Sequence, residues 1–325
     1  MRYVGYMTKM NNVYWPVYKR IENALVDLMG RVSFSDDQIN VYSLLNAELL
    51  IRCAVEIEAL SKKLYQRLGG AMSPVDENGN VRDLYFDTDC LAMLEKRWSL
   101  GSKQIQLVSP ECYFEDESNI FITPLRKANK RGSSGSKWKQ AYQSLKHNRA
   151  ESIKDASIKN LIHALGALYI LNLYYRDETI QVPRSHSARE FDGGMGSSIF
   201  SVGIFEAGHI RTSNGCITDG ELPGIDTVNQ FVCIRRLTEG SVAAIEDAMS
   251  YTHTELKKRL AKSQRVHDFL IANPGYKART PLDLAEKVGG IAFVREVYSG
   301  LGISEALSAA NYEIVLNKGG PIYRV

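Results

Sequence analysis

The stretch "KWKQAYQSLKHNRAES" (137–152) holds the residues with the most chemistry to offer: Lys146, His147 and Arg149 lie within four positions. A histidine titrates near neutrality and can move a proton, while lysine and arginine can hold a phosphate. The cluster suits acid–base or phosphate-binding work, and equally the solvated end of a helix. Helix geometry limits the first reading. Residues two apart are turned by about 200°, so His147 and Arg149 cannot face one phosphate from an intact helix, whereas Lys146 and Arg149 share a face. A site using both His147 and Arg149 therefore requires the helix to end near 149, or a second helix or protomer.

Three further sets of residues compete for function. Glu48, Arg52 and Glu56 are spaced i, i+4, i+8 within an apolar helical run, which predicts one polar stripe with the guanidinium between two carboxylates. That stripe reads either as a structural salt-bridge network supported by Glu48 and Glu56, or as Arg52 reaching a cleft to bind phosphate. From Ser118 to Ala150 there are eight basic residues and no acid. Six of them, Arg126, Lys127, Lys130, Arg131, Lys137 and Lys139, surround the Gly/Ser loop "ANKRGSSGSK" that leads into a helix N-terminus. Such a loop can embrace a nucleic-acid backbone, or can simply be a solvated loop. Glu115-Asp116-Glu117, just upstream, would neutralise it by folding back. His163 lies in an apolar helix, where a hydrogen-bonded core histidine is the ordinary finding.

Familiar motifs are absent. "FDGGMGSS" (191–198) runs into a strand-like segment and lacks the P-loop lysine, so it reads as a hinge or turn. His186 and His209 have no cysteine or carboxylate pattern of metal ligands, and no metal or other cofactor is expected. The five cysteines are widely spaced, with no C-x-x-C, which suits a reducing, cytoplasmic setting. The first fifteen residues show no sustained apolar run, so no signal peptide is expected. The longest apolar stretch, "LIHALGALYILNLYY" (161–175), falls short of a roughly 20-residue membrane span and reads as a core helix. A net charge of +3 does not by itself imply nucleic acid.

The elements that must position these residues predict a mainly α fold. It is a helical bundle with a small antiparallel β insertion and a helical C-terminal region, divided at 1–178, 179–240 and 241–325. The run 41–70 is apolar around nearly its whole circumference and ends at Gly69-Gly70, which predicts a central helix. Helices are further expected over 88–98, capped by Thr88 or Asp89, over 136–150, capped by Ser136, and over 155–177, capped by Asp155 or Ser157. Trp138, Tyr142 and Leu145 give the second of these an apolar face. "KQIQLVS" (103–109) and "NIFITPL" (119–125) are short strands or loops. Between 179 and 240, β-type runs broken by glycine include an Asn214-Gly215 hairpin signal. A long helix over 241–273 ends at Pro274-Gly275. Thr280-Pro281 then starts another that is kinked at Gly289-Gly290.

"LLIRCAVEIEALSKKLY" (49–65), "WKQAYQSLKHNR" (138–149) and "IKNLIHALGALYILNLYY" (158–175) together resemble HEPN-type proteins, over roughly residues 40–178. The resemblance implies a dimeric, metal-independent endoribonuclease, of the kind found in phage-defence or toxin systems. In these the RNA 2′-hydroxyl is the nucleophile, a histidine moves protons and an arginine stabilises the phosphate. His147 matches the motif histidine. Tyr142 stands where an arginine five residues earlier would be, so Lys146, Arg149 or Arg52 must supply the charge. The partners so implied are RNA and a second copy of the chain or a protein of the same system, with no membrane. The alternative is a non-catalytic nucleic-acid-binding, scaffold or sensor subunit of such a system.

Overall fold

Apolar side chains all round the run 158–176 make it a core helix: every residue from Ala164 to Tyr175 is buried. The structure is a computed structural model and describes residues 12–182, 191–206, 211–213, 216–218, 225–301 and 303–319. It is mainly helical, and among the described residues no helix is long and apolar enough to cross a membrane. The described chain forms two compact units. The larger comprises residues up to 180 together with 191–235 and 314–319; the smaller comprises 181–182 and 236–313. Residues 191–235 thus group with the larger unit, and the chain first leaves that unit between Ile180 and Gln181.

In order, the larger unit contains α1 (Tyr14–Met29), β1 (Phe34–Ser35), α2 (Leu44–Arg67), α3 (Ala92–Trp98), β2 (Ile105–Leu107) and β3 (Cys112–Tyr113). Next come α4 (Glu117–Ile120), β4 (Phe121–Ile122), α5 (Lys137–His147), α6 (Arg149–Ser152) and α7 (Ile158–Arg176). After β5 (Ile180–Val182) follow β6 (Phe200–Val202), β7 (Ile204–Glu206), β8 (Arg211–Ser213), β9 (Cys216–Thr218) and α8 (Ile225–Asn229). β10 (Cys233–Leu237) closes this series, its last two residues belonging to the smaller unit.

α2 and α7 run parallel. At their starts the Ile158 N–H donates to the Val41 carbonyl at 2.9 Å. At their ends Arg67 donates to the Tyr175 carbonyl at 2.7 Å and lies 3.7 Å above that ring. Each is started by a serine: Ser43 Oγ accepts from the Asn46 N–H, and Ser157 Oγ from the Asn160 N–H. Ser157, not Asp155, is therefore the cap of α7. The expectation that α2 is central is corrected, because α7 takes that place and leaves α2 an outward face. Leu44 is 69% and Val55 48% exposed, with Glu48 and Arg52 between them.

Among the described residues, the β segments after α7 do not join into one antiparallel sheet of their own. β6 pairs antiparallel with β2, and β2 with β4, so the segment after α7 completes a sheet begun before α5. β7 pairs parallel with β10, and β1 parallel with β3. β8 and β9 pair antiparallel, Thr212 opposite Ile217, as a hairpin requires. The Asn214-Gly215 pair itself, like His186 and His209, lies outside the described residues. "FDGGMGSS" is a turn pinned from two helices. The buried Glu22 carboxylate accepts from Ser197 Oγ and the Ser198 N–H, and the Tyr169 hydroxyl donates to the Gly194 carbonyl at 2.9 Å. Gly196 sits at φ +94° with Trp15 against it, where a side chain would be strained.

In the smaller unit the expected 241–273 helix is two: α9 (Glu239–Lys262) and α10 (Gln264–Ala272). Ser263 is extended, at φ −79° and ψ 119°, which breaks the rod and lets Val266 join Leu256, Leu260, Ala285, Phe293 and Val297 in one core cluster. α11 (Pro281–Tyr298) is capped by Thr280 and bends at Gly289 and Gly290, the latter at φ +62°. α12 (Ile303–Ser308) follows, but "YEIVL" then forms β11 (Tyr312–Leu316), whose last three residues belong to the larger unit, so the C-terminal region is not wholly helical.

Candidate functional site

α5 is where the sequence-derived residues and the structure meet. Trp138, Ala141, Tyr142 and Leu145 are buried against the bundle, and Trp138 Nε1 donates to the Pro124 carbonyl at 2.8 Å. The helix ends at His147. Asn148, at φ −149° and ψ 79°, leaves the helical region, and α6 begins anew at Arg149. The break required for His147 and Arg149 to share a rim is therefore present. Asn148 holds it, its N–H donating to the Ser144 carbonyl at 2.8 Å and its amide to Glu151 at 2.7 Å. Lys146, His147 and Arg149 are all exposed. His147 has no hydrogen-bond or ion-pair partner among the described residues, and no hydrogen bond joins Arg52 to this rim. The position the resemblance would give to an arginine, Tyr142, is a buried ring.

The other expected site residues separate. Arg52 and Glu48 lie on the exposed face of α2, with Glu56 partly buried, and among the described residues no ion pair joins the three. Burial raises the Glu56 carboxyl, and the nearby Arg52 charge only partly opposes that. The expected buried network is thus an open surface stripe, because α7 occupies the centre. His163 is held near 4 by burial and then by Lys159, so it is neutral at pH 7.

Of the basic set, Arg126, Lys127, Lys130, Arg131 and Lys137 are exposed. Among the described residues, no ion pair joins Glu115, Asp116 or Glu117 to them. The backbone amides of Glu115 and Asp116 donate instead to Asp36, at 2.7 and 3.1 Å. Lys139 is corrected from the exposed set, being 4% exposed with its ammonium turned inward. It donates to Asp87 Oδ2 at 3.1 Å, to the Ala128 carbonyl at 2.9 Å and to the Lys130 carbonyl, so all its donors are used in holding the loop to the bundle. Burial lowers its pKa, and Asp87 opposes that. Ser136 occupies the cap position of α5, but its hydroxyl makes no capping bond and is buried without a partner among the described residues.

Asp87 was not singled out by sequence, and it organises the neighbourhood. A π-helical turn over Phe86–Leu91, with the Cys90 N–H donating to the Tyr85 carbonyl at 3.2 Å, precedes α3 in place of a side-chain cap. Neither Thr88 nor Asp89 caps a helix; Asp89 accepts a two-pronged pair from Arg82, both bonds 2.7 Å. The wide turn faces Asp87 towards α5. There it accepts from Lys139 and, at 3.1 and 3.2 Å, from Arg131 Nε. Burial acts to raise the Asp87 pKa, but the Thr88 N–H and the two cations outweigh it and leave it lowered. The Arg131 guanidinium also lies 3.8 Å above the Tyr85 ring. These groups line a cleft of about 370 Å³ that includes Glu58 from α2 and Gln143 from α5. In sequence, 139 and 143 differ from 147 by whole turns, but nothing there brings Asp87 or Tyr85 to that face.

No protein-family model, curated protein or solved structure matches the chain.

Proposed function

We propose that the larger unit is an HEPN-like helical bundle that cleaves RNA without metal, as an effector of the phage-defence or toxin kind. The observation carrying this reading is the end of α5 at His147, with Lys146 and Arg149 exposed beside it across the Asn148 break. The RNA 2′-hydroxyl attacks the adjacent phosphorus, the P–O5′ bond breaks, and a 2′,3′-cyclic phosphate and a 5′-hydroxyl result. His147 moves the proton, while Lys146 and Arg149 balance charge on the phosphoryl oxygens. The exposed Arg126, Lys127, Lys130 and Lys137 hold the flanking backbone.

The test is incubation of the purified protein with total RNA and a tRNA pool in EDTA, with His147→Ala and Arg149→Ala alongside. His147→Ala is expected to lower cleavage about 100-fold or more. It should leave stability within about 0.5 kcal/mol, because the side chain is exposed and unpartnered. A silent wild-type protein, or a His147→Ala variant that cleaves normally, sinks the reading. The absence of any group orienting His147 favours a second reading, a non-catalytic nucleic-acid-binding subunit. That reading predicts strong binding that falls steeply with salt, and no products.

We further infer a homodimer through α2. In an antiparallel pair centred on residue 50, Glu48 faces Arg52 and Leu45 faces Val55, each pairing occurring twice. The surface is thus self-complementary in charge and in apolar character. Sedimentation should show a dimer whose dissociation constant rises about tenfold or more with Glu48→Arg or Arg52→Glu alone. The two changes together restore the pairing. A monomeric wild type, or a double variant no better than either single one, rejects this interface.

A further inference from the structure

The cleft beside Asp87 is built more rigidly than a loop on a surface needs. Arg131 is fixed from below by the Tyr85 ring at 3.8 Å and at its edge by Asp87. Asp87 is in turn tied to the buried Lys139. This leaves a flat guanidinium, half-exposed, at the wall of the cavity. Guanidinium planes and aromatic rings are the surfaces on which single-stranded bases stack. The cavity, at about 370 Å³, falls at the small end of ligand clefts.

Its polar groups are selective. Glu58 lines the cleft with a carboxylate, which only accepts hydrogen bonds. Among the RNA bases, guanine alone offers two adjacent donors, N1–H and N2–H₂, on its Watson–Crick edge. Adenine and cytosine offer one amino donor beside an acceptor, and uracil one imide donor between two acceptors. Gln143, whose amide can donate to the guanine O6, lines the same cavity. Lys62, one turn from Glu58, touches it at 3.4 Å, a partly exposed pair too weak to remove the carboxylate from use.

We propose that this cleft binds guanine, stacked on Arg131 and read by Glu58 and Gln143. Gln143 and His147 lie one turn apart on the same face of α5, a rise of about 6 Å. A guanine seated there within an RNA strand brings neighbouring backbone towards the rim at His147. In that form the inference rests on the ribonuclease reading; binding of the base itself does not.

The experiment is equilibrium titration of the full-length protein with GMP, AMP, CMP and UMP. Labelled single-stranded RNA heptamers containing one guanine or none are titrated in parallel, with circular dichroism of every variant. GMP is expected to bind about tenfold or more tightly than the other three. Glu58→Gln should abolish that preference while Arg131→Ala weakens all four. Preference seen only with the guanine-containing heptamer places the base within RNA; preference with GMP as well admits the free nucleotide. No guanine preference in either format, or one unchanged by Glu58→Gln in a folded protein, overturns the proposal. Guanine-selective binding without cleavage would sink the ribonuclease reading alone, and cleavage without guanine preference would sink this one alone.

Discussion

Replacing Lys103 with methionine is expected to stabilise the protein at pH 7 by about 2–3 kcal/mol. The Lys103 side chain is fully buried, at the foot of β2, and among the described residues its ammonium has no hydrogen-bond partner. Burial depresses its pKa to about 8, against a small opposing pull from Cys233 and Glu95. Each pKa unit is worth about 1.4 kcal/mol, which sets the scale of the penalty. The sign follows from proton binding. Between pH 8 and the ordinary lysine value near 10.5 the unfolded chain holds more protons than the folded one, so wild-type stability rises with pH across that window. Below pH 8 the penalty is complete. Chemical denaturation of wild type and Lys103→Met at pH 7 and pH 10 reads both features, and the advantage of methionine should shrink at the higher pH. A variant no more stable than wild type at pH 7 would mean that the ammonium is satisfied in solution.

Removing Asp87 has the opposite and larger effect. Asp87→Ala should cost about 3–5 kcal/mol, since it strands the Lys139 ammonium inside the bundle. The side chains of the pair are only 5% and 8% exposed. Lys139→Met also loses two carbonyl contacts, to Ala128 and Lys130, so it too is destabilising. The double variant should be less damaged than the two losses added together, with a coupling of about 1–3 kcal/mol. Because hydrogen bonds hold the Asp87 pKa below the ordinary carboxylate value, its contribution is complete above that value and is lost as pH falls through the lowered one. The difference between wild type and Asp87→Ala should therefore narrow in acid. Additive losses, or a cost under about 1 kcal/mol, would show that this pair does not act as the joint between α5 and the turn before α3.

Local signals carried far in this chain. The helical period and apolar saturation of 158–176, the serine before α7, Thr280-Pro281 at α11 and the Gly289-Gly290 bend all depend on residues within a turn or two of one another. So does the limit on His147 and Arg149, since side-chain angle follows from helix geometry alone; Asn148 supplied the break that geometry required. Where the reading failed, the deciding partner was distant. α2 and α7 are both rich in apolar residues, and which of them lies at the centre depends on how many neighbours each gains. That is why the Glu48–Arg52–Glu56 stripe faces outward. Ser263 breaks α9 from α10 because Val266 belongs to a core with Phe293 and Val297.

By itself, then, the sequence determined a mainly helical protein with a basic, histidine-bearing rim at the end of one amphipathic helix. Tertiary structure alone decided which charges face out and which face in. Lys139 and Lys137 are two residues apart and of one chemical type. One helix face sets Lys139 against Asp87, 52 positions away, and the other leaves Lys137 exposed. The cleft arises in the same way, from Glu58, Tyr85, Arg131 and Gln143 on four separate segments. Packing, not spacing, brings them together, because a buried ion pair and a stacked guanidinium need partners that no local pattern can specify.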